Sequence, residues 1–231
     1  GGGHNSKKAE GLILHNTLAV DPNKFRPEVI GILDQYIHNR NDAIDDEDWK
    51  ETQLWIEASR RIHIADSKTQ IVEVMDREGD VFDIMQNSLD LKHDFIIRAK
   101  NNRILKKSSE HNLFDFVKKL TPSGIIKLDI RKKKGQIPRK ASLNVSFSKV
   151  TLSGPKNRKN ETINCNVVYV LEEKPPQNQE PLEWILLTSL EVNSFDDAYK
   201  IIKWYKYRWI IEEYHKCIKS GCAVEKIQLK E

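Results

Sequence analysis

No stretch of this 231-residue chain approaches the roughly 18 consecutive apolar residues of a membrane-spanning helix. Its opening, Gly1-Gly2-Gly3-His4, lacks the apolar core of a secretory leader. Both absences argue against a membrane or exported protein, and a cytoplasmic location is expected. Cysteine is scarce: Cys165, Cys217 and Cys222 are odd in number and show no Cys-x-x-Cys spacing. That argues against a disulfide framework and a thiolate zinc site, leaving buried or idle thiols. Internal repeats are also missing, and no low-complexity tract is long enough to exclude from the fold. The remaining composition, 39% hydrophobic, is enough for one globular core or a core carrying an insertion.

Charge is present in both signs, but unevenly. The whole chain carries +4, whereas Ile96 to Asn160 holds 18 Lys and Arg against three acids, Glu110, Asp115 and Asp129. Such local excess suits a polyanion partner. Taken alone, the run Arg131-Lys132-Lys133-Lys134 is better read as a solvated hairpin tip; the density over the whole segment is what points to nucleic acid.

Two mostly apolar, β-permissive stretches, Leu12 to Val20 and Val29 to Ile37, flank a loop at Asp21-Pro22-Asn23 and predict adjacent strands. Asp42 to Ser67 predicts a helix, with Asp45, Asp46, Glu47 and Asp48 crowded where its dipole favours acids. Ile71 to Met75 is a short apolar run ending at Asp76-Arg77-Glu78-Gly79-Asp80, as a central strand would end. A helix over Val81 to Leu91 and a strand over Asp94 to Ala99 follow, so the first hundred residues form an α/β pattern. From Asn101 the chain is turn-rich and basic, with strands expected at Ile125 to Ile130, Ala141 to Val150, Ile163 to Leu171 and Trp184 to Thr188. The expected division is therefore 1–100 and 191–231 as a core, with 101–190 as a β-rich insertion. Ser194 and Asp197 form a capping-box pattern, and no Pro or Gly interrupts the chain until Gly221, so one long final helix is expected.

On that helix, at about 100° per residue, Tyr205, Arg208, Glu212 and Lys219 fall within about 60° of one another. Trp204, Tyr207, Ile210, Ile211, Tyr214, Cys217 and Ile218 spread over the opposite side, an apolar surface for a sheet. Amphipathic helices commonly carry a solvated polar stripe, so periodicity alone assigns these four no role.

The string Tyr205-x-x-Arg208-x-x-x-Glu212-x-x-x-x-x-x-Lys219 resembles the Y-R-E-K signature of the IS4 superfamily of DDE transposases. Arg208-Trp209-Ile210-Ile211-Glu212-Glu213-Tyr214-His215-Lys216 extends the match as a near-continuous block. Val74-Met75-Asp76-Arg77-Glu78-Gly79-Asp80 resembles the family's second catalytic aspartate at a strand end. Further blocks at Phe95 to Lys100, Arg139 to Leu143 and Leu182 to Ser189 stand in the family's order, with different loop lengths.

The resemblance implies an RNase H-like mixed sheet with flanking helices and a β-rich insertion before the last catalytic helix. It implies a cut-and-paste transposase, whose metal-dependent chemistry comprises phosphodiester hydrolysis, hairpin formation and strand transfer. Asp76 and Glu212 match two of three carboxylates holding Mg²⁺, for which Mn²⁺ substitutes. Hard oxygen ligands suit such cations. The third, an aspartate on a strand before Leu12, has no counterpart: nothing acidic precedes Glu10, and Asp21 lies after the strand. A truncated core, inactive by itself and binding metal weakly, is expected. Glu78 and Asp80 are expected to cap the next helix. Arg98, Lys100, Tyr205, Arg208 and Lys219 match residues that bind DNA phosphates, and Trp184 matches the tryptophan on which a flipped base stacks. The implied partners are double-stranded DNA, as transposon ends and target, and a second copy of the full-length protein on paired ends. The implied setting is the bacterial nucleoid. Two rivals stand beside this: a truncated or domesticated copy acting as a DNA-binding regulator, and a general RNase H-like nuclease, which would need neither Trp184 nor the Y-R-E-K face.

Overall fold

The computed structural model describes residues 12–39, 51–62, 64, 66, 68–130 and 138–222. It divides into two compact units, 1–67 and 68–231. The expected acidic cluster at 45–48 and the basic run at 131–134 lie outside the described residues.

In the first unit, β1 (Leu12–Asp21) and β2 (Glu28–Asn39) pair antiparallel, from Leu12 opposite Asn39 to Asp21 opposite Glu28. The Asp21 carboxylate accepts a bond from the Asn23 amide at 2.9 Å, a side-chain turn that a strand-ending Asp-Pro-Asn favours. Helix α1 (Glu51–Arg60) buries Leu54, Ile56 and Ala58, and the Trp55 ring meets His15 edge-on at 5.5 Å. This helix ends at Arg60 and not near Ser67 as expected. Ile62 and Ile64 follow, β-branched residues that lose side-chain freedom in a helix, and the Arg61 guanidinium turns back to Asp34 at 2.8 Å.

The second unit is built on one seven-stranded mixed sheet. Its elements are β3 (Val72–Met75), α2 (Phe82–Asp90), β4 (Asp94–Arg98), β5 (Leu105–Lys106), α3 (Leu113–Lys118), β6 (Gly124–Ile130), β7 (Arg139–Ser153), β8 (Thr162–Glu172), β9 (Glu183–Thr188), α4 (Phe195–Tyr207) and α5 (Trp209–Lys216). The strand order is β3-β4-β9-β8-β7-β5, with β6 pairing another part of β7. β3 and β4 are parallel, joined through α2, and the other pairs are antiparallel. This α/β architecture, a curled mixed sheet with flanking helices, is consistent with an RNase H-like fold. β9, at the end of the expected insertion, lies between β4 and β8, so the sheet continues without a break from β3 and β4 into the later strands.

Phe95, Ile96 and Ile97 are all fully buried, as an apolar strand covered on both faces must be. One face buries Ile96, Leu186, Val168, Val170 and Val145 against Ala198, Ile201, Ile202 and Trp204 of α4. The α4 N-terminus carries the expected capping box: Ser194 Oγ accepts from the Asp197 amide, and the Asp197 carboxylate accepts from the Ser194 amide.

The expected single long helix is interrupted. At Arg208 the bonds tighten to i−3, Arg208 N–H to Tyr205 and Ile211 N–H to Arg208, which separates α4 from α5. The chain then widens into a π turn over Cys217–Gly221. Neither break needs Pro or Gly, and both shift the phase of the helix face. Tyr205, grouped above with the polar stripe, is 6% exposed, while Cys217, grouped with the apolar side, is exposed. α3 was not anticipated: its first-turn amide at Phe114 is capped by Asn102 Oδ1 at 2.8 Å, from too far upstream to register as a local signal.

Candidate nucleic-acid processing site

The site lies where β3 and β4 end and β9 begins, beneath the junction of α4 and α5. Asp76 is the first residue after β3. Its Oδ1 accepts a bond from the Glu78 amide at 2.9 Å, capping a 3₁₀ turn over Arg77–Gly79. That turn presses on the strand it leaves: a side chain at Gly79 would put its Cβ 2.6 Å from Met75 Cβ, so only glycine lets the chain fold back this closely.

Arg208, at the helix junction, joins the two candidate ligands. Its Nη2 donates to Glu212 Oε1 at 2.6 Å, and its Nη1 lies 3.9 Å from Asp76 Oδ2. Burial pulls its pKa down, but the hydrogen bond to Glu212 and the charges of Tyr205, Glu212 and Asp76 together hold it above its ordinary value. Arg98, at the end of β4, donates to the Glu183 carbonyl at 2.9 Å. Burial lowers its pKa; Tyr205 offsets part of this, while the charges of Arg77 and Arg208 push it down further. Between the two arginines, the Tyr205 hydroxyl is shifted up by burial against their opposing pull. Trp184 meets the Tyr205 ring edge-on, centroids 5.4 Å apart at 68°.

Six of the eight candidates thus come together: Asp76, Arg98, Trp184, Tyr205, Arg208 and Glu212. Lys100 stands to one side, its ammonium 3.0 Å from Glu78. Lys219 lies on the π turn about two helical turns past Glu212, where its charge, after burial, helps lower the His215 pKa.

Glu78 and Asp80 do not cap α2, whose N-cap Val81 forms no side-chain cap bond. Asp80 is fully buried and fastens the next loop instead. It accepts from the amides of Lys100 and Asn101, both at 2.7 Å, and from Arg103 Nε at 2.8 Å. Sequence gave no hint of this, because Asp80 is adjacent to the motif while its partners begin twenty residues later.

A cavity of about 310 Å³ adjoins Arg98 and is walled by Arg77, Lys100, Phe114, Lys118, Glu183 and Ile185. Arg77, Phe114 and Lys118 were not among the expected site residues; Arg77 stands next to Asp76, but Phe114 and Lys118 carry no motif. The larger cavity, about 590 Å³, is lined by Lys106, Lys107, Asn166 and Glu191 and includes none of the eight candidates. Cys165 also borders it, but burial pushes this thiol up to about 12, so it supplies no thiolate near neutral pH.

Among the described residues no group of three or more His, Cys, Asp and Glu side chains is close enough to hold a metal ion. Asp76 and Glu212 nevertheless suit a hard divalent cation in kind, since both offer carboxylate oxygens to one shared cationic group.

A mixed RNase H-like sheet with carboxylates at a strand end and on a C-terminal helix, surrounded by arginines, defines a class of enzyme that cuts or joins nucleic-acid strands. Within that class, residues 44–231 match the transposase DDE domain, and the chain belongs to that family. Membership implies a polynucleotidyl transferase or nuclease related to transposition, acting on DNA and using a divalent metal. No helix among the described residues is long and apolar enough to cross a membrane.

Proposed function

We propose that the chain is the catalytic core of a cut-and-paste transposase of the IS4 type, similar to the Tn5 transposase. It hydrolyses a phosphodiester at a transposon end, forms and opens a hairpin, and transfers the freed strand to target DNA. The observation that carries this reading is the convergence of Asp76 and Glu212 on Arg208 beside Arg98, Tyr205 and Trp184.

Asp76 and Glu212 would hold Mg²⁺ or Mn²⁺, which when bound activates the attacking oxygen and stabilises the leaving one. Among the described residues only these two carboxylates meet at the site, and a further oxygen ligand would tighten the cation's hold. Arg98 and Arg208 grip phosphates bidentately, Lys100 and Lys219 add point charges, and Tyr205 contributes its hydroxyl. Trp184 offers a stacking face to an unpaired base, an interaction worth roughly 1–3 kcal/mol. The full-length enzyme acts as a homodimer on paired ends, in the nucleoid of a bacterial cytoplasm.

A DNA-binding regulator is the rival, favoured by the fact that Arg208 already engages both carboxylates. One assay separates the two: Mg²⁺-dependent cleavage of the element's end DNA by protein that includes the upstream strand, with and without Glu212→Ala. Loss of nicking and hairpin formation with binding retained supports the enzyme. Equal inactivity of both proteins, with binding intact, supports the regulator.

A further inference from the structure

Arg98 is partly buried, yet no carboxylate pairs with it among the described residues; around it stand a backbone carbonyl, a phenol and two more arginines. Arg77 and Lys118, which share the adjoining cavity with it, likewise have no ion-pair partner among the described residues. Of the acids nearby, Glu183 lines the cavity itself but turns its Oε1 to the Tyr169 hydroxyl at 2.8 Å, and Glu78 holds Lys100. Three cations facing one small cavity repel one another, and an anion seated among them would relieve that repulsion. Lys100 and Glu183 also line the cavity, and Phe114 and Ile185 give it an apolar wall that suits the carbon face of a sugar.

We infer that this cavity seats one deoxyribose phosphate of the bound DNA strand, with the phosphate on Arg77, Arg98 and Lys118 and the sugar against Phe114. Helix α3 is then a DNA-binding element, and the strand runs past Asp76 onto it. The identity of the polyanion rests on the transposase reading; the site itself rests on the cavity and its unpaired cations.

The test measures this chain's affinity for labelled single-stranded and duplex DNA across a salt series, for wild type, Arg77→Ala/Lys118→Ala and Lys118→Glu. Lys106→Ala/Lys107→Ala, at the other cavity, removes the same charge and serves as control. Each lost phosphate contact flattens the plot of log affinity against log salt by about 0.7–0.9, so the first double variant should flatten it by about 1.5 and the control by much less. Phe114→Ala should weaken binding without changing the slope. Equal flattening in the control, or an unchanged slope in Lys118→Glu with the fold intact by circular dichroism, overturns the inference. Asp76→Asn and Glu212→Gln keep the two readings apart: cleavage surviving in both would remove the catalytic reading and leave the slope result standing.

Discussion

Asp76 and Asp80 lie four residues apart in one acidic stretch and take opposite roles. Asp76 stays 44% exposed, with one oxygen on a backbone amide and the other towards Arg208. Asp80 is sealed from solvent, and Arg103 beside it is only 12% exposed. Breaking one partner of a buried ion pair leaves an uncompensated charge, at a cost of about 3–5 kcal/mol. Asp80→Ala should therefore lower unfolding stability by that order in a urea titration and also loosen the loop carrying Lys100. Asp76→Ala should change urea stability far less. A second buried pair predicts a pH effect. Arg139 hydrogen-bonds Glu172 at 2.7 and 2.9 Å, and that contact, assisted by the Leu182 amide, holds the Glu172 pKa below its ordinary value. A carboxylate depressed in the folded state stabilises above its unfolded pKa of about 4.3, and this stability is lost as pH falls through the lower folded value. Urea midpoints followed into the acid range should show this decline in wild type, and Arg139→Gln should flatten it while lowering stability at neutral pH.

At the scale of elements, the α4 cap holds the helix whose far end presents Tyr205 and Arg208. Ser194→Ala removes the acceptor for the Asp197 amide and should cost about 0.5–2 kcal/mol in thermal or urea unfolding. A value near zero would mean that Asp197 alone sustains the cap through its bonds to the Asn193 and Ser194 amides. This cap was legible in the sequence because Ser and Asp stand at the required three-residue spacing. The strands were legible for a related reason: β7 alternates through Ala141, Leu143 and Val145, while β4 and much of β8 are continuously buried, so burial imposes a local pattern. The break at Arg208 was not legible, since it arises from hydrogen bonds that shift by one residue in a run of ordinary helix formers. Nor was α3, whose cap comes from Asn102. Of the candidate site, the residue types and their order could be read from the string. What could not be read was that Arg208 would bridge both carboxylates, because that depends on how β3 and the helix junction meet in space.

At the scale of the whole molecule, the formal charge of +4 understates how the chain presents itself to DNA. Between Ile96 and Asn160 positive residues outnumber acids by 15, and this stretch supplies β5, α3, β6 and all of β7. Several of its charges are already spent internally: Arg103 on Asp80, Lys119 on Glu110, Arg139 on Glu172 and Arg158 on Asp83. Others, such as Lys118 and Lys156, have no ion pair among the described residues, and they are the ones able to displace counterions from a duplex. Binding should therefore be strong at low salt and fall as a straight line in log affinity against log salt, with a slope near −0.9 per phosphate neutralised on duplex DNA. The slope should report several contacts and exceed what a net charge of +4 alone suggests. It should persist in Glu212→Ala, because that substitution removes a carboxylate and leaves every cation in place. A slope no steeper than about −1.8, measured on the same duplex by fluorescence anisotropy, would mean that the rest of the basic stretch is a solvated surface and that phosphate contact depends on Arg98 and Arg208 alone.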